Sequence, residues 1–250
     1  MQNCFIQFST KWYCRLFIAL AQFVAFAAHA EISYEQEVAD CRKISSFAAA
    51  GDKYYKLNEY AKARAQYEQQ AAWSESCQLS EQKITTAYNN VALTYIHEKN
   101  YLKARAWLGI AANDKKSVFN LNKINSQIEA AITQQSGTVE GQYWQYAGKS
   151  LWNIFSIKQK EQQYEFSFDG YYAGLMAMYY GPNMGSFSAL LPVNNATARY
   201  NMAEASDGDF DCIYHFTITD AELIVEREAG TSCGFGHNVS AEGTYLKVEF

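Results

Sequence analysis

The chain has 250 residues, with 26 Asp and Glu against 21 Lys and Arg, a formal charge of −5. That acidic balance argues against nucleic acid, whose phosphates reward clustered Lys and Arg. It suits a soluble protein, or one that meets a basic protein partner.

Residues 1–30 contain no acidic side chain. Lys11 and Arg15 are followed by an apolar run from Leu16 to Ala28, about 13 residues where a membrane span needs about 20. The run ends in Ala28-His29-Ala30, the small-x-small pattern of a signal-peptidase site, with a signal anchor as the competing reading. The expectation is a signal peptide over residues 1–30, a mature chain beginning near Glu31, and a periplasmic or secreted location. Loss of the leader removes two basic residues and no acidic one, taking the formal charge from −5 to −7. No later segment approaches a membrane span, so no span is expected in the mature chain.

Cys4 and Cys14 leave with the leader, and Cys41, Cys77, Cys212 and Cys233 remain. Four cysteines permit three pairings. One pair falls in each half, so Cys41–Cys77 and Cys212–Cys233 are the economical bridges in an oxidising compartment. Asn195-Ala196-Thr197 and Asn238-Val239-Ser240 are glycosylation sequons that carry nothing in a bacterial periplasm.

From residue 31 to 135 the pattern is helical, with no proline and only Gly51 and Gly109 as glycines. Residues 134–138 form a polar linker, after which the pattern alternates and Gly, Tyr and Phe become frequent. The fold class is therefore α+β: a helical domain over 31–135, then a small antiparallel β-barrel or sandwich over 136–250.

The helical half repeats itself. Gly51, Tyr54, Tyr60, Ala63 and Tyr67 are echoed by Ala92, Tyr95, Tyr101, Ala104 and Leu108. This pattern resembles the tetratricopeptide repeat over about residues 44–112. Tyr60 and Tyr101 are 41 residues apart instead of the family's 34, and the surplus is expected around Ser74–Ser80, at the inter-repeat turn. Val118, Leu121, Ile124, Ile128 and Ala131 form the apolar stripe of a terminal capping helix.

The resemblance implies stacked helical hairpins whose first helices line a concave groove for a peptide or protein partner. On the groove side it places Asp52, Tyr55 and Lys56, then Asn89, Asn90, Leu93, Ile96 and His97. Asn90 matches the asparagine of clamps that hold a partner's terminal carboxylate. Ala48 stands where those clamps have lysine, and Asp52 where they have asparagine.

In the second half, strands are expected over Ile154–Gln159 and over Tyr164–Phe168, the latter running into an Asp169-Gly170 turn. Further strands follow over Ser186–Leu191, Ala196–Met202, Cys212–Ile218, Leu223–Val225 and Tyr245–Phe250, making eight or so. The stretch from Asp211 to Lys247 resembles small secreted bacterial β domains, some of them lysozyme-inhibitor-like. That likeness implies, as an alternative function, inhibition of a cell-wall hydrolase. The Met- and Tyr-rich stretch Tyr171–Tyr180 reads as core or domain seam, with an external contact surface as the competitor.

No catalytic constellation emerges. Gly230-Thr231-Ser232-Cys233-Gly234 fits a nucleophile elbow by pattern, but no helix follows it. His97 has Tyr101, not a second histidine, one turn on. Cys212, His215, Cys233 and His237 could hold zinc, yet strand alternation turns His215 away from Cys212. Asp207, Asp209 and Asp211 lie in one turn that lacks the remaining ligands of a helix–loop–helix calcium site. The expectation is an exported, non-catalytic protein-binding protein with no cofactor and no metal, acting through the groove, the β domain or both. An unrecognised enzyme is the third reading.

Overall fold

Among the residues described by this computed structural model, 32–206 and 208–249, the proline-free half forms six helices. They are α1 (Tyr34–Arg42), α2 (Ile44–Lys56), α3 (Tyr60–Ser76), α4 (Glu81–His97), α5 (Tyr101–Gly109) and α6 (Lys115–Gln134). The leader expected over residues 1–30 lies outside the described residues.

The sequence echo has a structural counterpart in the helix ends. After α2, Asn58 takes a left-handed backbone (φ 60°) and the Glu59 N–H reaches back to the Tyr54 carbonyl at 3.0 Å. After α4, Lys99 does the same (φ 61°), with the Asn100 N–H on the Tyr95 carbonyl at 2.8 Å. Each is the six-to-one bond that satisfies an orphan carbonyl at a helix C-terminus. The next pair in the echo packs α2 on α3, where Gly51 lies under the Tyr67 ring, while Ala92 and Leu108 are both fully buried.

The surplus between the repeats does not form a longer turn. α3 runs 17 residues against nine for α5, so Ser74 to Ser76 are helical and the turn is confined to 77–80. Helix continuation satisfies its backbone groups internally, which an extended loop does not. Cys77 caps α3 and is bonded to Cys41 of α1.

The second half is one eight-stranded antiparallel sheet, curled into a nearly closed barrel, in the order β4-β3-β2-β1-β8-β7-β6-β5. Its strands are β1 (Gly141–Gly148), β2 (Leu151–Lys160), β3 (Gln163–Tyr172), β4 (Asn183–Leu191), β5 (Thr197–Asn201), β6 (Ile213–Ile218), β7 (Glu222–Ala229) and β8 (Gly243–Glu249). Two four-stranded meanders are thus joined where β1 pairs with β8. The unlinked edges, β4 and β5, meet through side chains, with Phe187 and Tyr200 ring centroids 5.1 Å apart.

Three strand expectations change. β1 was not foreseen, and β3 continues through Asp169-Gly170 instead of turning there. Gly170 is a packing residue: a Cβ on it would lie 2.6 Å from Phe168 Cε1, so the bare backbone makes room for that ring. Met202 leaves the expected strand to begin a short helix over Met202–Ala205.

Aromatic rings fill the barrel, with Tyr143, Phe155, Phe166, Phe168, Tyr214, Phe216 and Tyr245 almost wholly buried. On β6 the buried set is Tyr214, Phe216 and Ile218, continued by Cys212, while His215 is half exposed on the outer face. Cys212 is bonded to Cys233, which commits both thiols and removes the zinc alternative.

Helices and barrel share a second core on the outer face of β1, β2 and β8. Trp144, Tyr146, Trp152, Ile154, Leu246 and Val248 pack there with Tyr88 and Trp107. Trp107 is fully buried with its ring centroid 5.3 Å from that of Trp152. β8 is accordingly covered on both sides, with Tyr245 and Lys247 buried on one face and Leu246 and Val248 packed on the other. Glu75 at the end of α3 fastens the same seam, accepting the Tyr146 hydroxyl and, at 2.8 Å, the Lys149 backbone N–H. Burial, with the Glu75 charge beside it, pushes the Tyr146 hydroxyl pKa far up and keeps it a donor.

Candidate functional site

Two clefts open along α4. The first, about 380 Å³, lies between α4 and α6, where Asn89, Asn90 and Leu93 face Lys115, Lys116 and Phe119. The second, about 460 Å³, lies where α1 and α2 face the end of α3 and the start of α4. Thr86 lines both clefts, and apart from Leu79, in the turn before α4, every lining residue of either is helical. The barrel docks elsewhere and does not fill the groove.

The α4–α6 cleft is built by ordinary helix chemistry. Asp114 caps α6, its carboxylate accepting the N–H groups of Lys116 and Ser117 at 3.0 and 3.1 Å. Ile124 and Ile128 bury the stripe of α6, while Phe119, off that stripe, is 66% exposed. Leu93 is half-buried and lies outside the helical core, unlike Ile96 three positions further along the same helix.

Asn89 has a structural part to play. It is buried, and its amide nitrogen donates to the Thr85 carbonyl and to Ser117 Oγ, both at 2.9 Å. Its oxygen accepts from Asn120 Nδ2 at 2.8 Å. The side chain thus ties α4 to α6 and sets the width of the cleft. Asn90 points its amide at Gln70 Oε1 of α3, 3.5 Å away.

The remaining sequence-derived candidates gather at the opposite end of α4. His97 stacks on Tyr60 with centroids 4.8 Å apart, and Tyr55 meets both rings edge-on at 5.2 and 5.5 Å. Desolvation raises the Tyr55 pKa, and nearby Tyr60 raises it further. Ile96 packs against the helical core behind these rings. Asp52 accepts the Tyr67 hydroxyl at 2.7 Å, and Lys56 is exposed. Six of the eight residues therefore form two groups, Asn89, Asn90 and Leu93 in the cleft and Tyr55, Ile96 and His97 in a packed aromatic corner, while Asp52 and Lys56 belong to neither.

Lys115, Lys116, Phe119 and Asn120 were missed. The readable signal was Phe119, a large apolar residue beside an otherwise regular helical stripe.

The motifs with catalytic patterns have structural uses. Ser232 sits in a turn held by Asp211, whose carboxylate accepts the Thr231 and Ser232 N–H groups at 2.8 and 2.6 Å. Those bonds hold the Asp211 carboxyl below the usual carboxylate range. Of the acidic turn considered for calcium, Asp207 lies outside the described residues. Among the described residues no three His, Cys, Asp or Glu side chains converge as metal ligands.

Comparison with known proteins finds no matching family, curated protein or solved structure.

Proposed function

We propose that this is an exported, non-catalytic binding protein that holds a peptide segment of a protein partner along the groove face of tetratricopeptide-like hairpins. The observation that carries the reading is the α4–α6 cleft, where Leu93 and the exposed Phe119 flank polar amides without being used by the core. Apolar side chains in a concave site rimmed by polar groups suit an anchored contact. Two disulfides and the leader-like N-terminus support a periplasmic or secreted setting. Among the described residues no helix is long and apolar enough to cross a membrane.

Leu93→Asp tests this. Capture of a partner from periplasmic extract should be lost while the melting temperature stays near that of the wild type. A partner captured equally well by the variant would remove the groove reading.

A second reading, inhibition of a cell-wall hydrolase by the barrel, has one observation in its favour. Leu175, Tyr180 and Met184 are 69%, 65% and 61% exposed around the β3–β4 connection. Only part of that stretch is seam, where Tyr179 meets Trp73 with centroids 5.6 Å apart. Met184→Asp should then abolish inhibition of lysozyme; an absence of any inhibition by the wild type would end this reading.

A further inference from the structure

We propose that the second cleft is a carboxylate subsite that receives an acidic side chain of a peptide lying along α4. The inference rests on the peptide-binding reading above and adds the chemistry of the ligand.

Charge is the first reason. The chain is acidic overall, yet neither cleft is lined by an Asp or Glu. Arg42 and Lys83 line the second cleft, Lys115 and Lys116 the first, and among the described residues none of the four is held in an ion pair. Two of the neighbouring acids are already engaged: Asp40 pairs with Lys43 at 2.7 Å, and Asp114 caps α6. The groove thus carries a local charge opposite to that of the molecule, and it selects an acidic ligand.

The second reason is a buried polar group in the cleft wall. Ser74 is 1% exposed, and its Oγ has no hydrogen-bond partner among the described residues. Such an orphan is costly, because folding strips its water without replacing it. Beside it stands buried Gln70, whose Oε1 receives, among the described residues, only the long contact from Asn90. A hydroxyl and an amide flanked by a guanidinium and an ammonium form a donor set suited to a carboxylate. Leu79 in the same wall offers apolar contact for the stem that carries it.

Thr86, which lines both clefts, supplies the continuity. A peptide anchored by an apolar side chain between Leu93 and Phe119 passes Thr86 and presents its next acidic residues to Arg42 and Lys83.

The test uses the exported, oxidised protein and three fluorescein-labelled decapeptide pools, read by anisotropy. All three carry Leu and Phe, spaced by Glu and Asp, by Lys and Arg, or by Ser and Gln. The acidic pool should bind about tenfold tighter than the others and weaken with added salt. Replacing Arg42 and Lys83 together (Arg42→Glu, Lys83→Glu) should cost that pool about tenfold or more at unchanged melting temperature. Ser74→Ala should weaken it less. Equal binding of all pools would overturn the carboxylate subsite and leave the groove reading standing. Full retention of acidic-pool affinity by the double variant would overturn the location. Absence of binding by every pool would overturn both proposals.

Discussion

Gly51 and Tyr67 occupy one packing site between α2 and α3: a Cβ on residue 51 would lie 2.5 Å from Tyr67 Cδ1. The matching positions of the next hairpin hold Ala92 and Leu108, both fully buried, a larger small residue paired with a smaller large one. Volume is conserved across the pair, as a close-packed interior requires. Gly51→Ala should therefore destabilise the protein by about 1–3 kcal/mol. Adding Tyr67→Leu, which copies the second repeat, should recover part of that loss. Urea unfolding of both single variants and the double variant measures the coupling, and additive losses would contradict the shared site.

Trp107 links the helices to the barrel. It is fully buried against Trp152 and Tyr146. Trp107→Ala should cost about 3–5 kcal/mol, the range for truncating a large buried aromatic. A small effect in denaturant titration would mean that the seam contributes little to stability.

The two bridges are expected to be local. Non-reducing peptide mapping should recover Cys41 joined to Cys77 and Cys212 joined to Cys233. Replacing Cys41 and Cys77 by Ala should lower stability by about 2–4 kcal/mol. An unchanged melting temperature, or a bridge between the two halves, would refute this.

Asp211 introduces an acid dependence. Its folded-state pKa is depressed, first by the Ser232 N–H and then by the Thr231 N–H. A depressed carboxylate stabilises the fold above its unfolded pKa, and the contribution is lost as pH falls through the folded value. Asp211→Asn should therefore lower the melting temperature at pH 7, and the gap from the wild type should close in strong acid. A gap that is constant with pH would show that the carboxylate charge plays no part.

Local chemistry was legible wherever a pattern repeated or alternated. The echo from Gly51 to Tyr67 in Ala92 to Leu108 marked both helical hairpins, because each small residue must accommodate a large one from the neighbouring helix. Alternation on Cys212–Ile218 separated the inward side chains from His215, since strand neighbours point to opposite faces. Cysteine spacing was sufficient for both bridges. Where a local signal had two structural solutions, reading failed: Asp169-Gly170 looks like a turn, but here the glycine clears space for Phe168 inside a strand.

Sequence by itself determined the two classes of secondary structure, their order along the chain, the paired cysteines and the inward face of Cys212–Ile218. These follow from interactions between residues close in the chain or at a fixed period. Only the tertiary structure decided that β1 pairs with β8, that the outer face of β1, β2 and β8 is covered by helices, and that the groove stays open. It also decided that Asn89 spends its amide on Ser117 and Asn120 while Leu93 and Phe119 remain available. Those outcomes depend on which distant surfaces meet, and a buried polar or apolar side chain carries no mark in the sequence of the partner that will cover it.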